Sequence, residues 1–158
     1  MPVIFYRRGL LLIRKVLVAV DGSKPSSEAS IQAVDLAKRF QATLVAIHVI
    51  DPRYSHLETA LSPRPGRIKE AVMLAIEKGK EDLDKVKQNA TEKNVKVKTD
   101  IIVGKTSVSN EIVEYAEKEK IDMIIIGSRG ISGFKRMLLG SVASGVVTYA
   151  HCPVFVVK

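Results

Sequence analysis

Five short apolar runs alternate with four segments of helical periodicity along this chain of 158 residues. A run that is apolar on both faces is typical of a parallel strand covered by helices on each side. The alternation therefore predicts an α/β fold with an open five-stranded parallel sheet and helices on both faces. The predicted strands are Val16–Val20, Ala42–Ile50, Val95–Val103, Ile121–Ile126 and Val154–Val157.

The segments between these strands carry apolar residues at spacings of three and four, which is the helical period. The first ends near Phe40, and Pro25 suits its first turn. The second runs from Ile68 to about Asn94 with Glu and Lys on its polar face. Two shorter helices are predicted over residues 108–120 and 141–150.

Right-handed crossovers give such a chain the Rossmann-like, flavodoxin-like strand order 3-2-1-4-5. In this order the first and fourth strands are neighbours at the point where the winding reverses. Ligands of open α/β sheets bind at the carboxyl ends of the strands at that point. Those ends are Asp21-Gly22-Ser23 and Gly127-Ser128-Arg129-Gly130, so we expect Asp21 beside the second segment.

The segment behind the fourth strand has the glycine spacing G-x2-G-x9-G-S, at Gly127, Gly130, Gly140 and Ser141. Glycine lets a backbone turn sharply and approach a ligand closely. A helix that begins at Gly140-Ser141 would present unpaired N–H groups to an anion, with Ser141 as its N-cap. A glycine-rich turn with a serine cap and no ligand explains the same residues, and the spacing alone leaves both alternatives open.

Three other phosphate motifs are excluded. Gly104-Lys105-Thr106 resembles the end of a Walker A loop, but Thr99 stands where that loop requires a glycine. The first strand is followed by Asp21-Gly22-Ser23-Lys24-Pro25, which is neither a G-x-G-x-x-G fingerprint nor a flavin-type loop.

The formal net charge of +8 is confined to the two ends of the chain. All 17 acidic residues lie between residues 16 and 122, where an equal number of basic residues balances them. The excess sits in residues 1–15 and in the segment from Arg129 onward. This local cluster suits a compact anion, and with 5% aromatic residues and no tryptophan we do not expect nucleic acid as a partner.

The chain divides into a basic extension, residues 1–14, and one domain, residues 15–158. The apolar run Leu10–Ile13 is short for a signal peptide, and Arg14 and Lys15 follow it in place of a cleavage site. No run approaches the length of a membrane helix. Because the single cysteine, Cys152, has no partner within the chain, we expect the cytoplasm as its location.

The sequence contains no recognisable catalytic set. His48, His56 and His151 fall on separate elements without metal-ligand spacing, and His48 is predicted to be a hydrogen-bonded core residue. No Ser/His/Asp arrangement can be assigned, and the sequence indicates no metal site in the protein itself.

From Lys15 to Val157 the chain resembles the universal stress protein family, with which it shares "VLVAVDGS", "ATLVAIHVID", "IDMIIIGSRGISGFKRMLLGSVAS" and "CPVFVV". The glycine spacing is similar to that of the family's ATP-binding branch. The resemblance implies an ATP site, and Mg²⁺ or Mn²⁺ would accompany a bound triphosphate. The implied ligand-contacting residues are Ala19, Val20, Asp21 and Val49 for the adenine and ribose end, and Gly127, Ser128, Arg129, Gly130, Gly140, Ser141 and Val142 for the ribose and phosphates.

Each assignment has a structural alternative: Asp21 could cap the following helix, and Val49 could pack in the core. Ser144-Gly145 departs from the larger polar residues that relatives often carry, and glycine weakens a helix interior.

The resemblance implies a regulatory protein of the stress response that signals through an unidentified protein partner, with at most slow ATP hydrolysis that could act as a switch. It also implies a homodimer through the C-terminal edge strand. The alternative is a nucleotide-free dimeric scaffold of the same fold.

Overall fold

The computed structural model describes residues 12–51, 67–130 and 139–158. Strands and helices alternate as predicted. In chain order they are β1 (Lys15–Ala19), α1 (Lys24–Phe40), β2 (Thr43–Ile50), α2 (Arg67–Glu92), β3 (Val97–Val103), α3 (Val108–Lys118), β4 (Met123–Gly127), α4 (Ser141–Tyr149) and β5 (Val154–Val157).

The five strands form one parallel sheet in the order β3-β2-β1-β4-β5, which confirms the predicted topology. β1 lies between β2 and β4, and Ala19 at its end is paired with both Ile47 and Ile126. β1 and β4 therefore end side by side, as the reversal of winding requires.

Each face of the sheet has its own apolar core because side chains alternate along every strand. Val16 and Val18 point to the face covered by α1 and α2, where Val34 and Leu83 pack against them. Leu17 points to the opposite face. There Ile112 of α3 and Val146 of α4 pack against the sheet in one cluster with Ile124 of β4, and all three side chains are fully buried.

Three of the helix-to-strand connections share one backbone conformation. Each helix is followed by a residue in the left-handed conformation: Gln41 (φ 55°), Asn94 (φ 56°) and Lys120 (φ 54°). The next residue is buried, and its N–H donates to a carbonyl five residues back, in the pairs Ala42 to Ala37, Val95 to Ala90 and Ile121 to Ala116. This is the hydrogen bond that closes a helix C-terminus.

These junctions explain why β2, β3 and β4 begin later than predicted. Ala42, Val95 and Ile121 are buried apolar residues, but they close the preceding helix and do not join the sheet. Hydrophobicity alone does not separate the two roles.

The entry into β1 is held by Asp122, whose Oδ2 accepts from the backbone N–H groups of Arg14 (2.8 Å) and Lys15 (2.9 Å). The predicted basic extension lies almost wholly outside the described residues. No helix in the described ranges is long and apolar enough to cross a membrane.

Candidate functional site at the ends of the first and fourth strands

The turn after β1 is built on the side chain of Asp21. Its Oδ1 accepts from the backbone N–H of Ser23 (3.0 Å), and its own N–H donates to Oγ of Ser26 (3.0 Å). Gly22 has a φ of +79°, a conformation that glycine adopts without strain. The N-cap of α1 is Ser23, whose Oγ accepts from the N–H of Ser26 at 3.3 Å, so Asp21 is not the helix cap.

This turn contacts the segment that follows β4. Oγ of Ser23 donates to the carbonyl oxygen of Arg129 at 3.3 Å. A Cβ atom placed on Gly130 would lie 2.6 Å from Oδ2 of Asp21. The expected neighbourhood of Asp21 and the glycine segment is confirmed, and a side chain at Gly130 would require the Asp21 carboxylate to shift.

Gly127 has a packing role that the sequence analysis did not anticipate. It is the buried last residue of β4, and a Cβ there would lie 2.7 Å from the carbonyl carbon of Pro25 and 2.8 Å from the nitrogen of Ser26. Those atoms belong to the first turn of α1 and cannot move independently. Glycine at this position therefore lets α1 begin directly against β4.

The start of α4 differs from the prediction in one respect. The N-cap is Gly140, with extended backbone (φ −70°, ψ 160°), and Ser141 is the first helical residue, so the assignment of Ser141 as N-cap was wrong. The Gly140 N–H donates to the carbonyl oxygen of Ser128 at 2.7 Å, which holds this residue in the capping position. No side chain caps this helix within the described residues.

Ser128 links these parts and leaves one polar atom unpaired. Its backbone N–H donates to the carbonyl oxygen of Val157 (2.6 Å), and its carbonyl oxygen accepts from Gly140. The residue is 1% exposed, and its Oγ has no hydrogen-bond partner in the described part of the chain. A buried hydroxyl without a partner is uncommon in folded proteins.

The remaining predicted residues divide between the two faces of the sheet. Ala19, Val49 and Val142 pack at the edge of the α3/α4 core. Val20 is buried in the opposite core, and its N–H donates to the carbonyl oxygen of Ile47 at 2.9 Å. The structure thus brings Ala19, Val49 and Val142 to one side, and Val20 can reach that side only through its backbone.

Arg129 is half-buried at the strand ends, while Lys135 and Arg136 lie outside the described residues, as does all of the predicted loop from residue 131 to 138. In the described ranges no cluster of His, Cys, Asp and Glu could hold a metal ion. Nε2 of His151 lies 3.1 Å from the carbonyl oxygen of Ile121 and takes part in the fold.

The excluded Walker-like segment has a structural role. The N–H groups of Lys105 (2.7 Å) and Thr106 (2.8 Å), with the Thr106 hydroxyl (2.9 Å), donate to Oε1 of Glu111. Burial raises the pKa of Glu111, but these hydrogen bonds outweigh it and leave the pKa below its usual value. These hydrogen bonds fix the turn before α3 against the first turn of that helix.

Sequence reasoning missed two residues of α2 that lie behind the Asp21 turn, Gly79 and Asp82. A Cβ on Gly22 would lie 2.7 Å from Oδ2 of Asp82, and a Cβ on Gly79 would lie 2.7 Å from Cδ2 of His48. Asp82 also lines a cavity of about 240 Å³ between α1 and α2, on the opposite face from Ala19 and Val49. Asp82 had no sequence signal, because it is one of many acidic residues in a helix whose polar face is rich in Glu and Lys.

Residues 12–158 match the model of the Universal stress protein family. The chain belongs to the universal stress protein family. It is 43% identical to universal stress protein MJ0531 of Methanocaldococcus jannaschii, over 96% of this chain and 86% of that protein. It is 35% identical to universal stress protein YxiE of Bacillus subtilis, over 93% of this chain and all of that protein.

Among solved structures, universal stress protein UspA from Lactobacillus plantarum superposes with a TM-score of 0.81 at 32% identity. The match covers 92% of this chain and 98% of the other. Two more distant members are complexes, one from Archaeoglobus fulgidus with dAMP (21% identity, TM-score 0.66) and one from Arabidopsis thaliana with AMP (19%, 0.64). At these identities the likeness shows the fold alone.

Proposed function

We propose that this universal stress protein binds ATP at the carboxyl ends of β1 and β4 and acts as a nucleotide-dependent regulator of the stress response. The observation that carries the proposal is the convergence of three groups at one edge of the sheet. These are the Asp21 turn against Gly130, the start of α4 at Gly140 and the unpaired hydroxyl of Ser128.

The chemistry of these groups fits a phosphorylated ligand. The first N–H groups of a helix carry the positive end of its dipole, and α4 has no side-chain cap among the described residues to compete with an anion. The half-buried Arg129 adds a charge suited to phosphate. Ser128 Oγ could be satisfied by a polar ligand, which would remove the cost of leaving it unpaired.

The apolar side chains of Ala19, Val49 and Val142 suit the base and ribose end, because bases pack against apolar walls with few polar contacts. The AMP and dAMP complexes of distant members support an adenine nucleotide as ligand, since proteins of this fold hold such molecules. We further propose that Mg²⁺ or Mn²⁺ arrives with the triphosphate, that hydrolysis is slow, and that the protein acts through a protein partner in the cytoplasm.

Isothermal titration with Mg-ATP tests the proposal. We expect saturable binding by the wild-type protein and its loss in the double variant Gly140→Val/Ser141→Val, because two branched side chains would cover the start of α4. Ser144→Val is the matched control, since Ser144 is exposed on the same helix. No binding at millimolar nucleotide would contradict the proposal and would favour the nucleotide-free scaffold.

We also propose that the protein is a homodimer through β5. Among the described residues this strand pairs with β4 on one side only and ends the sheet, and Phe155 at its centre is 44% exposed. An apolar edge strand of this kind favours pairing with its symmetry mate. Light scattering after size exclusion at micromolar protein should give the mass of a dimer for the wild type and of a monomer for Phe155→Lys. A monomeric wild type would refute this assembly.

A further inference from the structure

The cavity of about 240 Å³ between α1 and α2 combines an apolar surface with polar groups. The buried side chains of Val20 and Val86 line it, and the exposed side chains of Ile31 and Lys85 lie at its opening to solvent. The other lining residues are Gly22, Ser26, Ser27, Ser30, Asp82 and Asn89. A solute can therefore enter from the solvent and contact both kinds of group.

The α1 side of the cavity presents hydrogen-bond acceptors. The hydroxyl of Ser27 donates its one proton to the carbonyl oxygen of Ser23 at 3.1 Å, and the hydroxyl of Ser30 donates to the carbonyl oxygen of Ser27 at 2.7 Å. Each of these hydroxyl oxygens then has only lone pairs left for a ligand.

The same side is poor in free donors. The backbone N–H groups of Ser26 and Ser27 are both bonded to Ser23, the first to its Oγ at 3.3 Å and the second to its carbonyl oxygen at 2.9 Å. These two groups at the start of α1 are therefore not available to an anion. The α1 side favours a ligand that donates hydrogen bonds.

The α2 side contributes the carboxylate of Asp82, which is short of donors. This side chain is only 12% exposed, and its Oδ1 accepts from Nζ of Lys85 at 3.1 Å. Oδ2 lies against Gly22 and has no hydrogen-bond partner in the described part of the chain. A carboxylate has acceptor sites for about four hydrogen bonds, and a buried one with few donors is unfavourable.

Lys85 shows which kind of group this carboxylate accepts. Its ammonium reaches Asp82 from the opening of the cavity, and its side chain is 75% exposed. An ion pair with so exposed a lysine adds little to stability, so the lysine can turn into solvent at small cost. The ammonium group of a ligand can then take its place, while the ligand's carbon chain packs on Val20 and Val86.

The size of the cavity restricts the ligand to a small molecule. Its volume of about 240 Å³ lies below the roughly 300–1,000 Å³ that is typical of pockets for drug-sized ligands. A nucleotide is too large and carries the wrong charge for it. A short carbon chain with one donor group fits both the volume and the polar groups.

We propose that the cavity between α1 and α2 binds small organic cations that consist of a primary ammonium group on a short apolar chain. The ammonium group bonds to Asp82 in place of Lys85, and the chain lies on the two buried valines. This site lies on the opposite face of the sheet from Ala19 and Val49, and the proposal does not depend on nucleotide binding.

Backbone amide resonances recorded at pH 7 and constant ionic strength, during titrations with butylamine, 1-butanol and butyrate, test the site. The three probes share a four-carbon skeleton and are respectively a cation, a neutral molecule and an anion at this pH. We expect saturable changes from butylamine at residues 20–22, 26–31 and 82–89. Butylamine should bind about tenfold more tightly than butanol, because a hydrogen bond to a charged group is the stronger kind, and butyrate should not bind.

Two outcomes of these titrations would overturn the proposal. One is the absence of saturable changes with butylamine at tens of millimolar, which would show that the cavity holds only water. The other is equal or tighter binding of butanol or butyrate, which would show that the carboxylate does not select the ligand.

Variants of α2 test the role of the charge. Asp82→Asn keeps the shape of the side chain and should reduce the affinity for butylamine to that for butanol. Asp84→Asn is the matched control, because Asp84 is exposed on the same helix and does not line the cavity. Equal affinities of the two variants for butylamine would contradict the site, and the amide spectrum of each shows whether it is folded.

The competing lysine gives a prediction in the opposite direction. Lys85→Ala should bind butylamine up to about fivefold more tightly than the wild type, because the ammonium that occupies Asp82 is removed. Lys87→Ala removes another exposed lysine of the helix that does not line the cavity. An equal gain in both variants would indicate general charge attraction and overturn the assigned displacement of Lys85.

Discussion

At the scale of single residues, the glycines of the motif have different physical roles. Gly127 makes room for the start of α1, and Gly130 makes room for the carboxylate of Asp21. Gly140 is less constrained, because its φ of −70° suits any residue and the nearest atoms to an added Cβ lie at 3.4 Å. The spacing of the motif thus combines packing requirements with the proposed ligand contacts.

Alanine substitutions at Gly127 and Gly140 test the different packing of these two glycines. Gly127→Ala should lower the free energy of unfolding by about 1–3 kcal/mol, because its Cβ meets backbone that cannot give way. Gly140→Ala should change it by less than about 0.5 kcal/mol. Urea unfolding followed by circular dichroism measures both. Equal losses would show that the packing assigned to Gly127 is wrong.

At the scale of elements, the helix ends are the least predictable part of the fold. Apolar periodicity located every helix and strand, because burial on two faces leaves a clear pattern. It could not show that Gln41 and Lys120 take the left-handed conformation, since neither residue favours it and no glycine marks the turn. Asn94 is the one such residue whose type suits the conformation.

Glycine at the left-handed position should stabilise the protein. Lys120→Gly is expected to add up to about 1 kcal/mol to the free energy of unfolding, because glycine adopts a positive φ without strain. Lys118→Gly is the control: this exposed lysine is the last residue of α3, and glycine there should cost up to about 1 kcal/mol. Chemical denaturation of both variants measures the pair, and a destabilised Lys120→Gly would contradict the assigned backbone.

The contact between α3 and α4 explains Gly145, which the sequence indicated only as a weak point in a helix. A Cβ there would lie 2.7 Å from Cβ and Oγ of Ser109. Gly145→Ala should therefore destabilise the protein by about 1–3 kcal/mol, although alanine is the better helix former. Adding Ser109→Gly should recover part of the loss. Thermal unfolding of the two single variants and the double variant measures this coupling. Additive effects of the two substitutions would contradict the contact assigned between Gly145 and Ser109.

At the scale of the whole molecule, the topology was predictable and the environment of the site only in part. The strand order follows from the alternation of elements and the handedness of crossovers, and this order alone predicts that Asp21 lies beside the glycine segment. The pairing of α2 with the strand ends was not predictable, because contacts such as Asp82 with Gly22 depend on how a helix lies on the sheet. Ser128 became notable only through its burial without a partner.

Nucleotide binding at the ends of β1 and β4 is the central claim, and backbone amide resonances recorded during a titration with Mg-ATP test it most directly. We expect the largest saturable changes at residues 19–21, 127–130 and 140–142, with little change on the outer surfaces of α1 and α2. Saturable changes confined to the α1/α2 face, or no changes at millimolar nucleotide, would contradict the claim.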